Sequence, residues 1–138
     1  TYNITLVGTD DTNALGDFDI TNPVNIVGAG SGLTIIQEGT DLASAVNRIF
    51  HVTNSSAVTL EAMTVRFGKI TATGGCILAV SDITIKDSIV DSCTATSNHG
   101  GAIYSGGAVT IDNSTVSNGT SGNRGGAIYT FEIGRAHV

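Results

Sequence analysis

Gly100-Gly101-Ala102-Ile103-Tyr104 returns as Gly125-Gly126-Ala127-Ile128-Tyr129 and is preceded by a variant, Gly74-Gly75-Cys76-Ile77-Leu78. The steps are 26 and 25 residues, and a fixed period of this size marks a repeat architecture. The same step governs the flanking sequence. Val58-Thr59-Leu60-Glu61, Ile83-Thr84-Ile85-Lys86 and Val109-Thr110-Ile111-Asp112 alternate apolar and polar residues, the period-two mark of a strand buried on one face. A weaker third strand follows each: Thr64-Val65, Ile89-Val90 and Thr115-Val116.

Three short strands per repeat, separated by Gly, Ser, Asn and Asp turns, describe an all-β, right-handed parallel β-helix. Its coils hold about 25 residues, and the chain holds about four to five of them. Strands one coil apart lie about 4.8 Å from each other, so residues at equal phase stack. Val58, Ile83 and Val109 then form one apolar column, and Leu60, Ile85 and Ile111 another. The doubled glycines are expected at sharp turns, where positive φ costs them little.

The repeat fills residues 1–131, with irregular N-terminal coils over 1–57 and three regular coils over 58–131. Val24–Val27, Leu33–Ile36 and Arg48–Val52 supply the strands of one looser coil, and Tyr2–Val7 and Phe18–Thr21 belong to a partial coil before it. Residues 38–46 read as an insertion in which Asp41–Val46 could form a short helix. The last seven residues, Glu132–Val138, look like the translation of a sequencing adapter rather than a further repeat and are set aside. The natural molecule is therefore expected to be longer.

Composition agrees. Eighteen glycines, one proline and no tryptophan favour strands and tight turns over helices. A formal charge of −6 with 13% charged residues leaves no basic stripe to follow a phosphate backbone, so nucleic acid is excluded as a partner. No apolar run is long enough to span a bilayer. Two cysteines, Cys76 and Cys93, do not make a disulfide framework or a zinc spacing. They read first as buried free thiols and second as a single disulfide.

The G-G-A-I-Y motifs, together with Asn113-Ser114-Thr115-Val116-Ser117-Asn118 and with Phe18-Asp19-Ile20-Thr21 leading to Ile26-Val27-Gly28-Ala29-Gly30, resemble a bacterial family of secreted right-handed β-helix repeat proteins. That family includes the polymorphic outer membrane proteins and proteins with a CSLREA domain. The resemblance covers nearly all of residues 1–131. It implies an exported, cell-surface or extracellular molecule of adhesive or stalk-like character, with surface glycans or proteins as partners and no fixed catalytic set. Related folds include pectate-lyase-like enzymes, so activity has to be argued from the residues themselves.

The outward column Glu61, Lys86, Asp112 is the best catalytic candidate, because lyases of this fold project acids and a basic proton acceptor from one face. The plainer reading is a ladder of alternating charge. Asp10, Asp11, Asp17 and Asp19 form an acidic cluster that could hint at calcium, against the plainer reading of a solvated turn. His51 and His99 lack sequence partners for nucleophilic catalysis and read as surface or turn residues. Tyr104 and Tyr129 share a phase and either contact sugar rings or stack on each other. Thr59, Thr84 and Thr110 form a threonine column whose charged neighbour disfavours ice binding. The resulting expectation is a non-enzymatic segment that needs no cofactor, with a carbohydrate-active enzyme as the alternative. End-to-end self-association is expected of the isolated segment.

Overall fold

The computed structural model describes residues 1–8, 12, 14–53 and 57–131. Over these the chain is a parallel β-solenoid of about four turns, with no helix. The strands are β1 (Tyr2–Ile4), β2 (Phe18–Ile20), β3 (Val24–Val27), β4 (Ile35–Glu38), β5 (Phe50–Val52), β6 (Val58–Glu61), β7 (Thr64–Arg66), β8 (Lys69–Ile70), β9 (Ile77–Ala79), β10 (Ile83–Lys86), β11 (Ile89–Ala95), β12 (Ile103–Ser105), β13 (Val109–Asp112), β14 (Thr115–Ser121) and β15 (Ile128–Thr130). They stack into three sheets. One runs β2-β5-β9-β12-β15, the second β3-β6-β10-β13 and the third β1-β4-β7-β11-β14, with β8 also on β11.

The expected columns are present. Ile83 pairs with Val58 and Val109, and Ile85 with Leu60 and Ile111, in parallel register. Val58, Leu60, Ile83 and Ile85 are buried in the shared core with Met63, Val65, Ile77, Val90 and Ile103. Each such side chain contributes roughly 1.5–3 kcal/mol by leaving water. The looser N-terminal coil forms too, β3 and β5 falling within the stretches read there, whereas β4 starts two residues later than Leu33 and runs through Glu38, which the sequence placed in the insertion.

The third strand departs from its weak sequence signal. β11 and β14 have seven residues each and are the longest strands in the solenoid. In both, a residue with positive φ sits inside the strand, Ser92 (φ 53°) and Asn118 (φ 50°), and Phe67 (φ 66°) holds the same phase between β7 and β8. The sheet therefore bends at one level in these three coils. A second column of left-handed residues, Ala62, Asp87 and Asn113, makes the corner between the second and third strands. Asn and Asp tolerate that conformation through local hydrogen bonding, and the Asn113 amide donates to the Asp87 carboxylate one coil away.

Two expectations need correction. The segment Asp41–Val46 is a turn, not a helix: the Ser44 amide donates to Asp41 Oδ1 (2.8 Å), while the amides of Thr40 and Asp41 donate to Ser44 Oγ. Short polar side chains that capture nearby backbone N–H groups compete with helix formation in this way. The excursion is then pinned by buried Glu38, which accepts from the Val46 amide (2.8 Å) and from Asn47 Nδ2 (3.2 Å). Burial raises the Glu38 pKa despite these bonds.

Cys76 and Cys93 are not free thiols but a disulfide, with Cα atoms 5.5 Å apart and both residues fully buried. Cys76 precedes β9 and Cys93 lies in β11, so the bond closes one coil across its interior. The backbones already meet there, since a Cβ on Gly75 would fall 2.5 Å from the Thr94 nitrogen.

No helix among the described residues is long and apolar enough to cross a membrane. The reading of residues 132–138 as a foreign tail falls outside the described residues, as do Asp10 and Asp11.

Candidate functional site

Strands β6, β10 and β13 put Glu61, Lys86 and Asp112 in direct register on the outer face. Lys86 Nζ lies 3.0 Å from Glu61 Oε1. The hydrogen bond and charge of Glu61 raise the Lys86 pKa, with smaller contributions from Asp87 and Asp112. An ammonium held this way is a poor proton acceptor near neutral pH. The column brings the three candidates together as a charge ladder in which the charged form of the lysine is favoured.

A more enclosed cluster lies between the first and second coils. Asp19 in β2 stands opposite His51 in β5, and Asp17, two residues earlier, shares Asp19's side of the chain by the strand's period of two. His51 Nδ1 is 3.2 Å from Asp19 Oδ1. Arg48, just before β5, places Nη1 3.3 Å from Asp17 Oδ2, and it also donates through Nη2 to the Thr73 carbonyl (3.0 Å) and through Nε to the Gly74 carbonyl. The side chains of both aspartates are inaccessible to solvent.

Burial raises the Asp17 pKa, opposed chiefly by the Arg48 charge. Burial also lowers that of Arg48, opposed by Asp17. Asp17 Oδ1 is buried and has no hydrogen-bond partner. Among the described residues Asp17, Asp19 and His51 are the three that could share a metal ion, each offering a ligand atom within 4.8 Å of the others.

This arrangement corrects the sequence reading twice. Asp17 and Asp19 are buried rather than in a solvated turn, and His51 is a half-buried strand residue facing a carboxylate rather than a surface bystander. Asp19 and His51 are 32 positions apart, outside the regular period, which hid the pair. The alternation Arg48-Ile49-Phe50-His51 next to Asp17-Phe18-Asp19 was the available signal, once Phe18 is aligned with Phe50.

The aromatic candidates also meet. Tyr104 and Tyr129 are register partners, their rings stacked with centroids 5.5 Å apart, and His99 stacks on Tyr129 at 4.7 Å. The Arg124 amide donates to His99 Nδ1 (3.2 Å), which fixes that nitrogen as an acceptor. Much of the ring surface is thus spent within the stack.

These features define the chain as a parallel β-solenoid with a charge ladder, a buried carboxylate–histidine cluster and an aromatic stack. No family model matches it, and comparisons with curated proteins and with solved structures return no match.

Proposed function

We propose that this chain is a non-enzymatic segment of an exported β-helix repeat protein, a stalk or adhesive passenger of the kind found among bacterial polymorphic outer membrane and CSLREA-domain proteins. The observation that carries the reading is the core disulfide between Cys76 and Cys93. Disulfides persist in oxidising compartments and are rare in the reducing cytosol, so a buried one within a coil supports export to the cell surface or beyond. The solenoid itself supports a stalk role, because stacked coils give an extended, rigid surface from which turns are displayed.

The carbohydrate-active alternative draws on the Glu61, Lys86, Asp112 column. The pairing of Lys86 with Glu61 works against it. The test is to incubate the chain and its Lys86→Met variant with pectate and alginate, with and without calcium, and to follow the ultraviolet absorbance of unsaturated products. In parallel, the labelled chain is applied to arrayed glycans and to cell-surface proteins. Retention on a surface without product formation is the expected result. Calcium-dependent product that disappears in the Lys86 variant would replace this reading with the lyase.

A further inference from the structure

We propose that Asp17, Asp19 and His51 form a buried site for one divalent ion of the zinc class, which clips β2 of the first coil to β5 of the second. The three side chains come from two adjacent strands and offer ligand atoms within 4.8 Å of one another. The His51 Nδ1 to Asp19 Oδ1 separation of 3.2 Å is already close to the edge of a tetrahedral shell, which is about 3.3 Å for ligands at about 2.0–2.1 Å from zinc.

The second observation is Asp17. Its side chain is fully buried, Oδ2 is engaged by Arg48, and Oδ1 is left without a hydrogen-bond partner. A buried carboxylate oxygen in that condition is costly unless something cationic meets it.

Arg48 does not compete for that role. Its guanidinium is held by the carbonyls of Thr73 and Gly74 while it touches the other oxygen of Asp17. A carboxylate gripped on one oxygen by a fixed donor and free to ligate through the other is the usual outer-shell arrangement of a metal site. The donor set selects the ion. Imidazole with two carboxylates suits zinc and its first-row neighbours, whereas calcium needs six to eight oxygens. With three protein ligands, a fourth position remains for water or another donor.

The location gives the ion a structural purpose. Among the described residues β2 has one strand neighbour, β5, and the excursion over residues 39–47 separates these coils by more than the regular step. Metal ligation across β2 and β5 adds a cross-link where the repeat is loosest.

The full chain, stripped with a chelator, is titrated with zinc alone by calorimetry and with cobalt alone by visible absorption and proton NMR. One equivalent of zinc should bind and raise the melting temperature. Cobalt should develop the intense d–d bands of a low-coordinate site and paramagnetically shifted imidazole resonances. His51→Gln should weaken zinc by more than the roughly 10–100-fold that losing an outer-shell partner costs, and Asp19→Asn likewise. His99→Gln and His137→Gln should bind as the parent does.

A cobalt spectrum identical to that of the aqueous ion overturns the site, and that reading needs no variant to fold. Zinc affinity unchanged in His51→Gln, or lost in His99→Gln or His137→Gln, also overturns it. A melting temperature raised by calcium but not by zinc overturns the choice of ion.

Discussion

At the scale of single residues the two glycines of each Gly-Gly pair do different work. The first, at 74, 100 and 125, has φ near 65° and turns the chain. The second is needed for space: a Cβ on Gly101 would lie 2.0 Å from the Gly126 carbonyl oxygen and 2.4 Å from the Thr120 nitrogen, both backbone atoms that cannot rotate away. Gly126 holds the same phase one coil on, yet its nearest neighbour would be 3.6 Å off. Gly101→Ala should therefore cost about 3 kcal/mol, the upper end for overpacking, and Gly126→Ala within about 0.5 kcal/mol. Urea unfolding of both variants checks the contrast, and equal costs would refute it. Asp91 gives a second residue-scale prediction. Its partial burial disfavours ionisation, but donors from Ser117 Oγ (2.7 Å), Asn118 Nδ2 (2.8 Å) and Ser92 outweigh that and lower its pKa below 3.8. A depressed folded pKa contributes stability that is complete above the unfolded value and lost as pH falls through the folded one. The stability gap between the parent and Asp91→Asn should be on the order of 1 kcal/mol above pH ~5, and should close below pH ~3.8. A gap independent of pH would contradict the assignment.

At the scale of the elements, the disulfide makes a direct prediction. It joins positions 17 residues apart and ties the turn before β9 to the middle of β11. Closing a loop of that length removes about 3 kcal/mol of unfolded-chain entropy. Equilibrium unfolding in reductant, or of Cys76→Ala/Cys93→Ala, should thus show a loss of about 2–4 kcal/mol, and no loss would mean that the bond closes no loop of consequence. The disulfide was illegible in the sequence for a physical reason. Cys76 and Cys93 are less than one coil apart, one in the turn before β9 and the other in β11, so their meeting depends on how tightly a coil closes across its interior, which periodicity does not encode. The regular strands were legible because β6 and β10 bury every second residue, and β13 keeps the same alternation with Val109 buried and Ile111 partly so. β14 was only half visible because its later residues, Ser117-Asn118-Gly119-Thr120, are held by ladder hydrogen bonds and the Asp91 network rather than by apolar burial, and β11 because its later part buries the small Cys93 and Ala95 rather than large apolar side chains. Of the candidate site, Asp17 and Asp19 could be read as a local acidic pair. Their meeting with His51 and Arg48 was masked, because the excursion over 39–47 lengthens the coil and breaks the phase, which left the alignment of Phe18 with Phe50 as the signal.

For the whole molecule, the consequence of stacking is that the two ends match each other. β1, β2 and β3 terminate the sheets on one side and β13, β14 and β15 on the other, each with a single strand neighbour among the described residues. Every pairing among the described residues is parallel, so the free edge of one end has the hydrogen-bonding direction that the free edge of the other requires. Apolar surface accompanies the edges. Phe18, Ile20, Ile26, Ile36 and Phe50 line an open depression at the first coil, and Val27, Leu33 and Phe131 are largely exposed. A head-to-tail contact of this kind does not close on itself and builds linear chains. The charge of −6 on each copy opposes contact, and salt screens that repulsion while leaving apolar burial intact. The 138-residue chain should therefore grow in apparent mass with concentration, and more so as salt is raised from low to moderate levels, in light scattering or sizing. Amide exchange should show the same asymmetry from within, with protection highest in β9, β10 and β11, which have neighbours on both sides, and falling towards β2 and β15. A monomer at all concentrations and salts, with uniform protection along the solenoid, would mean that the end strands are covered by something other than a second copy.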